Sequence, residues 1–465
     1  MRLGCISLAP VVVAAAILLA RPCPSFGSSD VFICTLGACD NSGPGYVNWG
    51  ASGGIRAFSI DTFACNQGDT PANWKNSTNQ HPVIAQNMFR LRNGRFEQIG
   101  QSWVKHTFFA ETDNGCTTCT PPTPDDGTLL GVGCCDCYSA FLNGYQQILG
   151  PKSEINASTG LFPYPFCPSC PNPAAIIGRR LQVAETDLDT DPSVLYFMEG
   201  QYVVPDDCAA APRTDGNNSS FRQITIDGSK DLSTWIGGTT FAVSTMNAWL
   251  NNDAGVNLNS ASVASDGTYY VAAKVTDLGG GVRHYEYAVQ NLNSDRAGGS
   301  FTVPVAPGVN VSNIGFHGVR YHSGEPYDNT DWDLPANGTS TGSLTWSSHP
   351  FPGNPSIANA LRWGTTYNFR FDANIASTTA SVSLALFKAG SPTSVSINTI
   401  TPMLCNCPGD MNGDGKIDGA DIPLFVRSYL GSNLNYCSDL TAPGGTDNSD
   451  LAAFVTLLLN GASCP

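Results

Sequence analysis

Runs that alternate apolar and polar side chains fill the second half of this 465-residue chain and limit its fold more than any other feature. A period of two is that of a β-strand with one buried face. Gly, Asn, Asp and Pro turns separate the runs, which predicts a mainly β fold with a β-sandwich or jelly-roll-like domain over 215–402. The apolar members of the clearest runs are Tyr269, Val271, Ala273 and Val275; Tyr285, Tyr287 and Val289; Tyr367, Phe369 and Phe371; Val382, Leu384 and Leu386.

The composition agrees with a turn-rich globular protein and excludes two classes of partner. Gly (48 residues) and Pro (31 residues) are together more frequent than the ~12% that is usual. The formal net charge of −15 leaves too few Lys and Arg side chains to neutralise nucleic-acid phosphates. The same charge argues against binding to anionic lipid surfaces. We therefore expect no nucleic acid partner, and the acidic balance suits calcium binding and an extracellular environment.

The N-terminus has the pattern of an export signal. Arg2 precedes an apolar run at 6–20, which is shorter than the ~20 residues of a membrane span. We predict a signal peptide at 1–27, with cleavage after Ala20 as the alternative. The chain is then secreted or associated with the cell surface, and we expect no membrane span.

The distribution of cysteines divides the chain into three regions. Of the fifteen cysteines beyond residue 27, eleven lie within 34–208, none within 209–404, and four in the tail. In an exported chain such residues form disulfides first and bind metals second. We predict a cysteine-rich, mostly β domain over 28–214 and a small stapled module over 403–465. The odd number leaves one thiol over.

Two pairs of cysteines have the two-residue spacing that zinc sites also use. They are Cys116 with Cys119 and Cys167 with Cys170. The gap between the pairs is too long for a zinc ribbon, and Pro-rich loops surround them. We therefore interpret all four as disulfide cysteines.

Two acidic residues of the first region are assigned structural roles. The run FRLRNGRFEQI predicts a hairpin around Asn93 and Gly94, a type I′ turn pair, in which Arg90 faces Glu97. Glu199 is a single acid in the apolar strand run LYFMEGQYVV. We expect it at a strand edge, although a buried acid there would be a functional candidate.

The tail contains a twelve-residue run with the ligand spacing of an EF-hand calcium loop. Calcium is a hard cation that takes six to eight oxygen ligands. Gly415 is at position 6, where such a loop turns sharply, and only the carbonyl of Lys416 is needed at position 7. Because position 12 is Asp rather than the longer Glu, we expect a modest affinity for Ca²⁺, about 10⁻⁵ to 10⁻³ M. Positions 1, 3, 5, 7, 9 and 12 are Asp410, Asn412, Asp414, Lys416, Asp418 and Asp421.

A second twelve-residue run begins at Asp439 and ends at Asp450, and each run is followed by a helical pattern. Position 5 of the second run is Pro443, which offers no side-chain oxygen, so calcium binding there stays open. Two loop–helix units within 405–465 resemble a dockerin module, and the flanking cysteines are similar to those of dockerin-like tails on exported bacterial proteins. The resemblance implies bound Ca²⁺ and a cohesin-like or surface scaffold protein as partner.

The body of the chain has no catalytic motif. Segments such as RFEQIGQSWVKHTFF are similar to uncharacterised exported bacterial proteins, which implies no activity. The richest polar stretch, 316–333, has the acids and aromatic rings of a sugar site, or the acids of a glycosidase if they are paired. We prefer to interpret the stretch as a long polar loop between two strands of the sandwich. Its candidate residues are His317, His322, Glu325, Tyr327, Asp328, Asp331, Trp332 and Asp333.

Two further features of the body bear on catalysis. His317 and His322 are five residues apart, so strict strand alternation places them on opposite faces, which disfavours a metal site. Glu286 and His284 share one face of a strand and form a second candidate pair. A solvated outer face is the simpler interpretation of that pair.

Two hypotheses for the function follow. The first is a secreted protein with a non-catalytic binding or structural β body, docked to an extracellular scaffold or cell surface through its calcium-binding tail. The alternative is a secreted polysaccharide-degrading enzyme, a glycosidase or lyase, that carries the same tail. Polysaccharide is a possible ligand in both. We prefer the first because no paired-carboxylate motif stands out.

Overall fold

The computed structural model describes residues 27–39, 43–350, 354–402, 405, 407–430, 436–441, 446–461 and 464. The predicted signal peptide lies outside these residues, apart from its last position. The described part of the chain is mainly β, as predicted, with five short α-helices. None of these helices is both long and apolar enough to cross a membrane.

The strands of the first part, in chain order, are β1 Val31–Leu36, β2 Tyr46–Ser52, β3 Ile55–Ile60, β4 Thr62–Asn66, β5 Ala72–Asn73, β6 Val83–Arg92, β7 Arg95–Gln101, β8 Val104–His106, β9 Asp113–Asn114, β10 Leu129–Leu130, β11 Cys134–Tyr138, β12 Leu149–Gly150, β13 Leu181–Ala184, β14 Leu195–Val203, β15 Ser219–Ile226 and β16 Leu232–Thr240. The later strands are β17 Asn257–Val263, β18 Gly267–Gly279, β19 Val282–Asn291, β20 Gly298–Pro304, β21 Asn310–Gly318, β22 Gly338–Thr339, β23 Ser343–Ser347, β24 Thr365–Ala373, β25 Thr378–Leu386 and β26 Ser394–Thr401. The helices are α1 Ala140–Asn143, α2 Pro205–Ala209, α3 Met246–Asn252, α4 Ile422–Tyr429 and α5 Asn448–Leu459.

The first part is built on a ten-stranded antiparallel sheet whose main path runs β16-β15-β14-β6-β7-β13-β3-β2. A four-stranded sheet, β1-β4-β11-β9, lies beside it and shares its apolar core. Glu199 lies on β14 between β6 and β15, where it pairs with Asn87, and it is fully buried. The expectation of a strand-edge position for Glu199 was therefore wrong, because β14 is a central strand.

The predicted hairpin joins β6 to β7. Asn93 and Gly94 have φ values of 52° and 76°, the positive values that a type I′ turn requires at both positions. Arg90 faces Glu97 in the register, and its Nη2 lies 2.7 Å from Glu97 Oε2. Both side chains are buried, so the pair belongs to the interior of the structure.

The second part is a β-sandwich, as the alternating runs predicted. A six-stranded sheet, β17-β18-β19-β24-β21-β22, packs on a four-stranded sheet, β23-β20-β25-β26. The predicted apolar positions face the space between the sheets. Burying side chains of this size contributes about 2–3 kcal/mol each. The largest members of this core are Tyr269, Tyr285, Tyr287, Phe301, Trp346, Tyr367, Phe369 and Phe371.

The two parts meet over a second apolar layer. The predicted domain boundary at 215 assigns strands β15 and β16 to the sandwich, but both belong to the ten-stranded sheet: β15 pairs with β14, and β16 pairs with β15. Helix α3 then leads to β17. Trp249 of α3 is fully buried and stacks on Phe96 of β7, while Ala272 and Ala288 add the outer face of the sandwich to the same cluster. The outer face of the six-stranded sheet is therefore partly covered.

Candidate metal centre

The acidic loop in the tail is organised by its first carboxylate. Asp410 Oδ1 accepts hydrogen bonds from the backbone N–H groups of Gly413 (2.7 Å) and Asp414 (3.2 Å). Its Oδ2 accepts from the N–H of Gly415 (2.9 Å). Gly415 has a φ of 84°, which favours glycine at this sharp turn. The loop thus folds around the side chain at position 1.

The carboxylate at position 12 closes the loop. Asp421 Oδ1 accepts from the N–H groups of Met411 (2.7 Å) and Asn412 (3.1 Å), and Oδ2 accepts from that of Asp418 (2.8 Å). Asp421 is fully buried. Burial raises the pKa of this carboxyl, and the three N–H donors oppose that rise. The last carboxylate is therefore fixed against the start of the loop.

The remaining predicted ligands lie on the outer side of the loop. Asn412 Oδ1 accepts from the N–H of Asp414, and Asp414 Oδ1 accepts from that of Lys416, each at 2.9 Å. Asp418 Oδ1 accepts from the N–H of Ala420 at 2.8 Å. No three carboxylates of this loop have oxygens within 4.8 Å of one another, so an ion has to draw them together. The donor set is all oxygen, which fits Ca²⁺ and not a soft metal.

The second loop repeats the closing contacts of the first. Asp450 Oδ1 accepts from the N–H groups of Leu440 (2.7 Å) and Thr441 (2.9 Å), and Oδ2 accepts from that of Asp447 (2.8 Å). Counted from Asp439, these donors are at positions 2, 3 and 9, the same positions that serve Asp421. The loop positions at 442–445, which include Pro443, lie outside the described residues.

The helices that follow the loops are also equivalent. Phe425 of α4 and Phe454 of α5 are both at position 16 of their units, and their rings stack with centroids 4.1 Å apart. Both are buried in the small core of the tail. Positions 13, 17 and 21 of each unit are apolar and between 38% and 82% exposed. These residues, named here the apolar triads, are Ile422, Val426 and Leu430 in the first unit and Leu451, Val455 and Leu459 in the second.

Adjacent residues of α4 differ in their surroundings: Phe425 is buried in the core of the tail and Val426 is exposed. The equal spacing of the two triads from Asp410 and Asp439 is visible in the sequence, and it was the signal that would have found them.

Disulfides hold the tail together. Cys405 pairs with Cys437 and Cys407 pairs with Cys464. The N–H of Cys464 also donates to the carbonyl of Gly415 at 3.1 Å. A module too small for a large core gains stability from such cross-links.

The polar stretch at 316–333 does not assemble a site from its acids. Glu325 is half-buried and accepts hydrogen bonds from the N–H groups of Lys152 and Ser153; desolvation of the carboxyl raises its pKa. The His322 Nε2–H donates to the carbonyl of Gln101, and burial lowers the pKa of this histidine to about 4. Trp332 is part of the sandwich core, and Tyr327 lies against the Arg362 guanidinium. Asp328 is half-buried, while Asp331 and Asp333 are exposed.

His317 and His322 line one groove of about 460 Å³ between the ten-stranded sheet and the sandwich. His317 Nε2 lies 3.1 Å from the carbonyl oxygen of Gln98, and His322 Nε2 lies 2.8 Å from that of Gln101. Each histidine therefore uses one ring nitrogen to join the sandwich to the ten-stranded sheet. Asp331 lines the same groove. Neither Glu325 nor Glu286 lines this groove.

Glu286 does not lie on a solvated face, which corrects the simpler interpretation given above. It is buried where the β6–β7 hairpin meets the sandwich, with Oε2 3.0 Å from Arg95 Nε and 3.3 Å from His284 Nε2. His284 Nδ1 lies 2.6 Å from Asp372 Oδ1, and both carboxylates raise the pKa of this histidine against the effect of burial. Arg95 also reaches Glu97. The group is an ion-pair network between two sheets.

The cysteines with two-residue spacing form disulfides, as interpreted from the sequence. Cys116 pairs with Cys65, Cys119 pairs with Cys134, and Cys167 pairs with Cys170. Cys39 pairs with Cys137, which brings the described disulfides to six.

No protein-family model matches this chain, and no curated protein is similar to it in sequence.

Proposed function

We propose that this protein is secreted and docks, through a calcium-binding dockerin-like module at 403–465, onto a cohesin-like domain of a scaffold or cell-surface protein. The β body is its non-catalytic binding or structural part. One observation carries the proposal: the two loop–helix units repeat both the contacts of the closing carboxylate and the exposed apolar triad.

Bound Ca²⁺ would supply the positive charge that the four carboxylates of the first loop need as a counter-charge. Its four carboxylates repel one another when they are drawn together, and a divalent cation offsets that repulsion. Asp410, Asp414, Asp418 and Asp421 would hold the ion with the Asn412 side chain and the Lys416 carbonyl. Because Asp421 directly precedes α4, an ordered loop fixes the start of the helix that carries the first triad.

The apolar triads supply the docking surface. Six large aliphatic side chains stay exposed on two short helices, although the same helices bury Phe425 and Phe454. Contiguous exposed apolar surface marks protein interaction sites more often than chance exposure does.

The body supports binding rather than catalysis. The glutamates of its two candidate sites already have cationic or N–H partners: Glu286 has Arg95 and His284, and Glu325 has two backbone N–H groups. A glycosidase needs two carboxyl groups that face one substrate bond across about 5–10 Å. Glu286 and Glu325 line different cavities. The six disulfides accord with an extracellular location.

The test is capture of the full-length oxidised chain on a panel of immobilised cohesin-type domains, in calcium and again in chelator. We expect retention in calcium, release in chelator, and loss of retention in the Asp410→Asn variant. Retention that is equal in chelator, or absent in both conditions, would overturn the docking proposal. Release of reducing sugar from a polysaccharide panel, lost in Glu286→Gln or Glu325→Gln, would establish the enzyme alternative instead.

A further inference from the structure

Four cysteine sulfurs converge on one face of the four-stranded sheet, here named the cysteine tetrad. Cys34 is on β1, Cys65 on β4, Cys135 on β11, and Cys116 follows β9 by two residues. Their Sγ atoms all lie within 4.8 Å of one another. Cys65 and Cys135 are direct cross-strand partners, so their side chains share a face. The tetrad thus gathers sulfurs from four neighbouring chain segments.

One disulfide and two thiols share this space. Cys65 is bonded to Cys116, while Cys34 and Cys135 are not in a disulfide. Cys135 Sγ nevertheless lies 3.1 Å from Cys65 Sγ and 3.2 Å from Cys116 Sγ. A Cβ on Gly115 would come within 2.4 Å of Cys135 Sγ, so the absence of a side chain there makes room for this thiol. The third thiol, Cys208, is buried on α2, where its Sγ–H donates to Ala157 O.

We propose that the cysteine tetrad carries two disulfides in the secreted protein, so that Cys34 and Cys135 are consumed and Cys208 is the one thiol left in the described part of the chain. This inference rests on the proposed secretion, but it goes beyond the docking function and does not depend on it. It also accounts for the odd number of cysteines beyond residue 27.

The chemistry starts at Cys34, the more accessible of the two thiols. Hydrogen bonding from Cys135 lowers the pKa of Cys34 and favours its thiolate. The thiolate attacks one sulfur of a low-molecular-weight disulfide, R–S–S–R, and forms a mixed disulfide while RS⁻ leaves. A second protein thiolate then attacks Cys34 Sγ, and the second RS⁻ leaves. In total, two protein thiols are oxidised, one external disulfide is reduced, and two protons pass to the departing thiolates.

Disulfide exchange within the tetrad is needed because Cys34 and Cys135 are too far apart to bond directly. β1 and β11 flank β4, so Cys34 and Cys135 are about two strand spacings apart, ~9–10 Å, whereas a disulfide spans up to ~7 Å between Cα atoms. Cys135 instead has the Cys65–Cys116 bond beside it. If the Cys135 thiolate bonds to Cys116, the Cys65 thiolate leaves and lies on the strand next to Cys34. That exchange is redox-neutral and places the last pair on neighbouring strands.

A zinc site fits the tetrad less well. Zinc would need four thiolates, with sulfurs about 3.8 Å apart for Zn–S bonds of ~2.3 Å. The tetrad already has one S–S bond and closer contacts. Its packing partners are apolar, including Phe32, Phe63 and Ala242. The hydrogen bond with Cys34, burial and the negative Asp113 all raise the pKa of Cys135, which disfavours the thiolate that zinc needs.

The test is a thiol and disulfide map of the secreted full-length protein, prepared without reductant, denatured, alkylated with N-ethylmaleimide and digested. We expect the label on Cys208 alone among peptides from residue 27 onward. We also expect linked peptides that contain all four tetrad cysteines, paired as Cys34 with Cys65 and Cys116 with Cys135. The Cys208→Ser variant should carry no label.

Labelling of both Cys34 and Cys135 in most molecules would overturn the inference. So would one zinc per chain by elemental analysis together with four labelled tetrad thiols. The wild-type map decides the matter without a tetrad variant, so a variant that fails to fold does not affect the conclusion.

Discussion

The buried carboxylate of Glu199 shows how a single residue stabilises the centre of a sheet. Asn87 Nδ2 donates to Oε1 at 2.7 Å, Ser219 Oγ donates to Oε2 at 3.0 Å, and Thr245 Oγ1 donates to the same oxygen. A buried charge of this kind persists only when hydrogen bonds replace its water. The donors come from β6, β15 and the approach to α3, so one carboxylate ties three segments to β14.

Removal of that carboxylate should be strongly destabilising. In Glu199→Ala, three buried donors lose their acceptor and a cavity remains, so we expect the free energy of unfolding to fall by about 3–5 kcal/mol. Denaturant unfolding of the variant beside wild type measures this loss. Glu111→Ala, at an exposed acid, is the matched control and should change stability by less than about 0.5 kcal/mol.

Buried histidines predict a loss of stability on mild acidification. Burial lowers the pKa of His81 to about 4 and that of His106 to about 2, and the two rings are in contact, His81 Nε2 to His106 Nδ1 at 3.0 Å. Unfolded histidine titrates near ~6.5, so below that pH the unfolded chain binds more protons than the native one. Stability is therefore full above pH ~6.5 and falls as the pH drops toward 4.

The slope of folding stability against pH measures how many buried neutral histidines the native protein has. Each buried neutral histidine contributes up to about 1.4 kcal/mol per pH unit within that window. The midpoint of thermal unfolding followed from pH 7 to pH 4 should fall less steeply in His81→Gln than in wild type. His349→Gln, at a half-exposed histidine beside Asp333, should leave the slope unchanged; an equal slope in all three proteins would contradict the assignment.

At the scale of elements, the sequence indicates which segments form strands. It does not indicate which strands lie next to one another in the sheets. The alternating runs predicted the sandwich strands and the Asn93–Gly94 turn because these depend on local spacing and backbone conformation. The order of strands depends on contacts between distant segments. For that reason Glu199 was expected at an edge and Glu286 on a solvated face, whereas β14 is central and β19 meets the hairpin.

The apolar triads give the element-scale prediction. Val426→Asp and Val455→Asp each place a charge in the middle of one triad without touching the buried Phe425 or Phe454. We expect each variant to bind calcium as wild type does and to be captured at least tenfold more weakly by a cohesin-like partner, because a charge at an apolar contact is desolvated on docking. Leu278→Asp, at an exposed leucine of the sandwich, controls for added charge. Unchanged capture in both triad variants would remove the triads from the interface.

The whole molecule is held together by the apolar layer around Trp249. This ring is fully buried between β7 and the outer face of the sandwich, and no periodicity in the sequence shows that two sheets meet there. Trp249→Ala should cost about 3–5 kcal/mol and accelerate backbone hydrogen exchange in both β6–β7 and β18–β19. Faster exchange in only one of the two parts would show that the layer does not couple them.

The tail is also joined to the body: Thr379 Oγ1 of β25 donates to the carbonyl of Met411 in the first loop at 2.8 Å. The loop spacing, the two helices and the cysteine staples could all be anticipated from the sequence, since they depend on residues close in the chain. The contact with β25 could not, because it depends on how the tail packs against a segment that is distant in the chain.

Calcium binding by the full-length oxidised chain tests the central claim most directly. Isothermal titration of wild type, Asp410→Asn and the exposed-loop control Asp125→Asn gives the number of sites and their affinity. We predict at least one site with a Kd of about 10⁻⁵ to 10⁻³ M in wild type and Asp125→Asn. We predict binding at least tenfold weaker in Asp410→Asn, because the first carboxylate would ligate the ion and also accepts the hydrogen bonds that organise the loop. No binding in wild type, or equal binding in all three proteins, would contradict a calcium-dependent docking module.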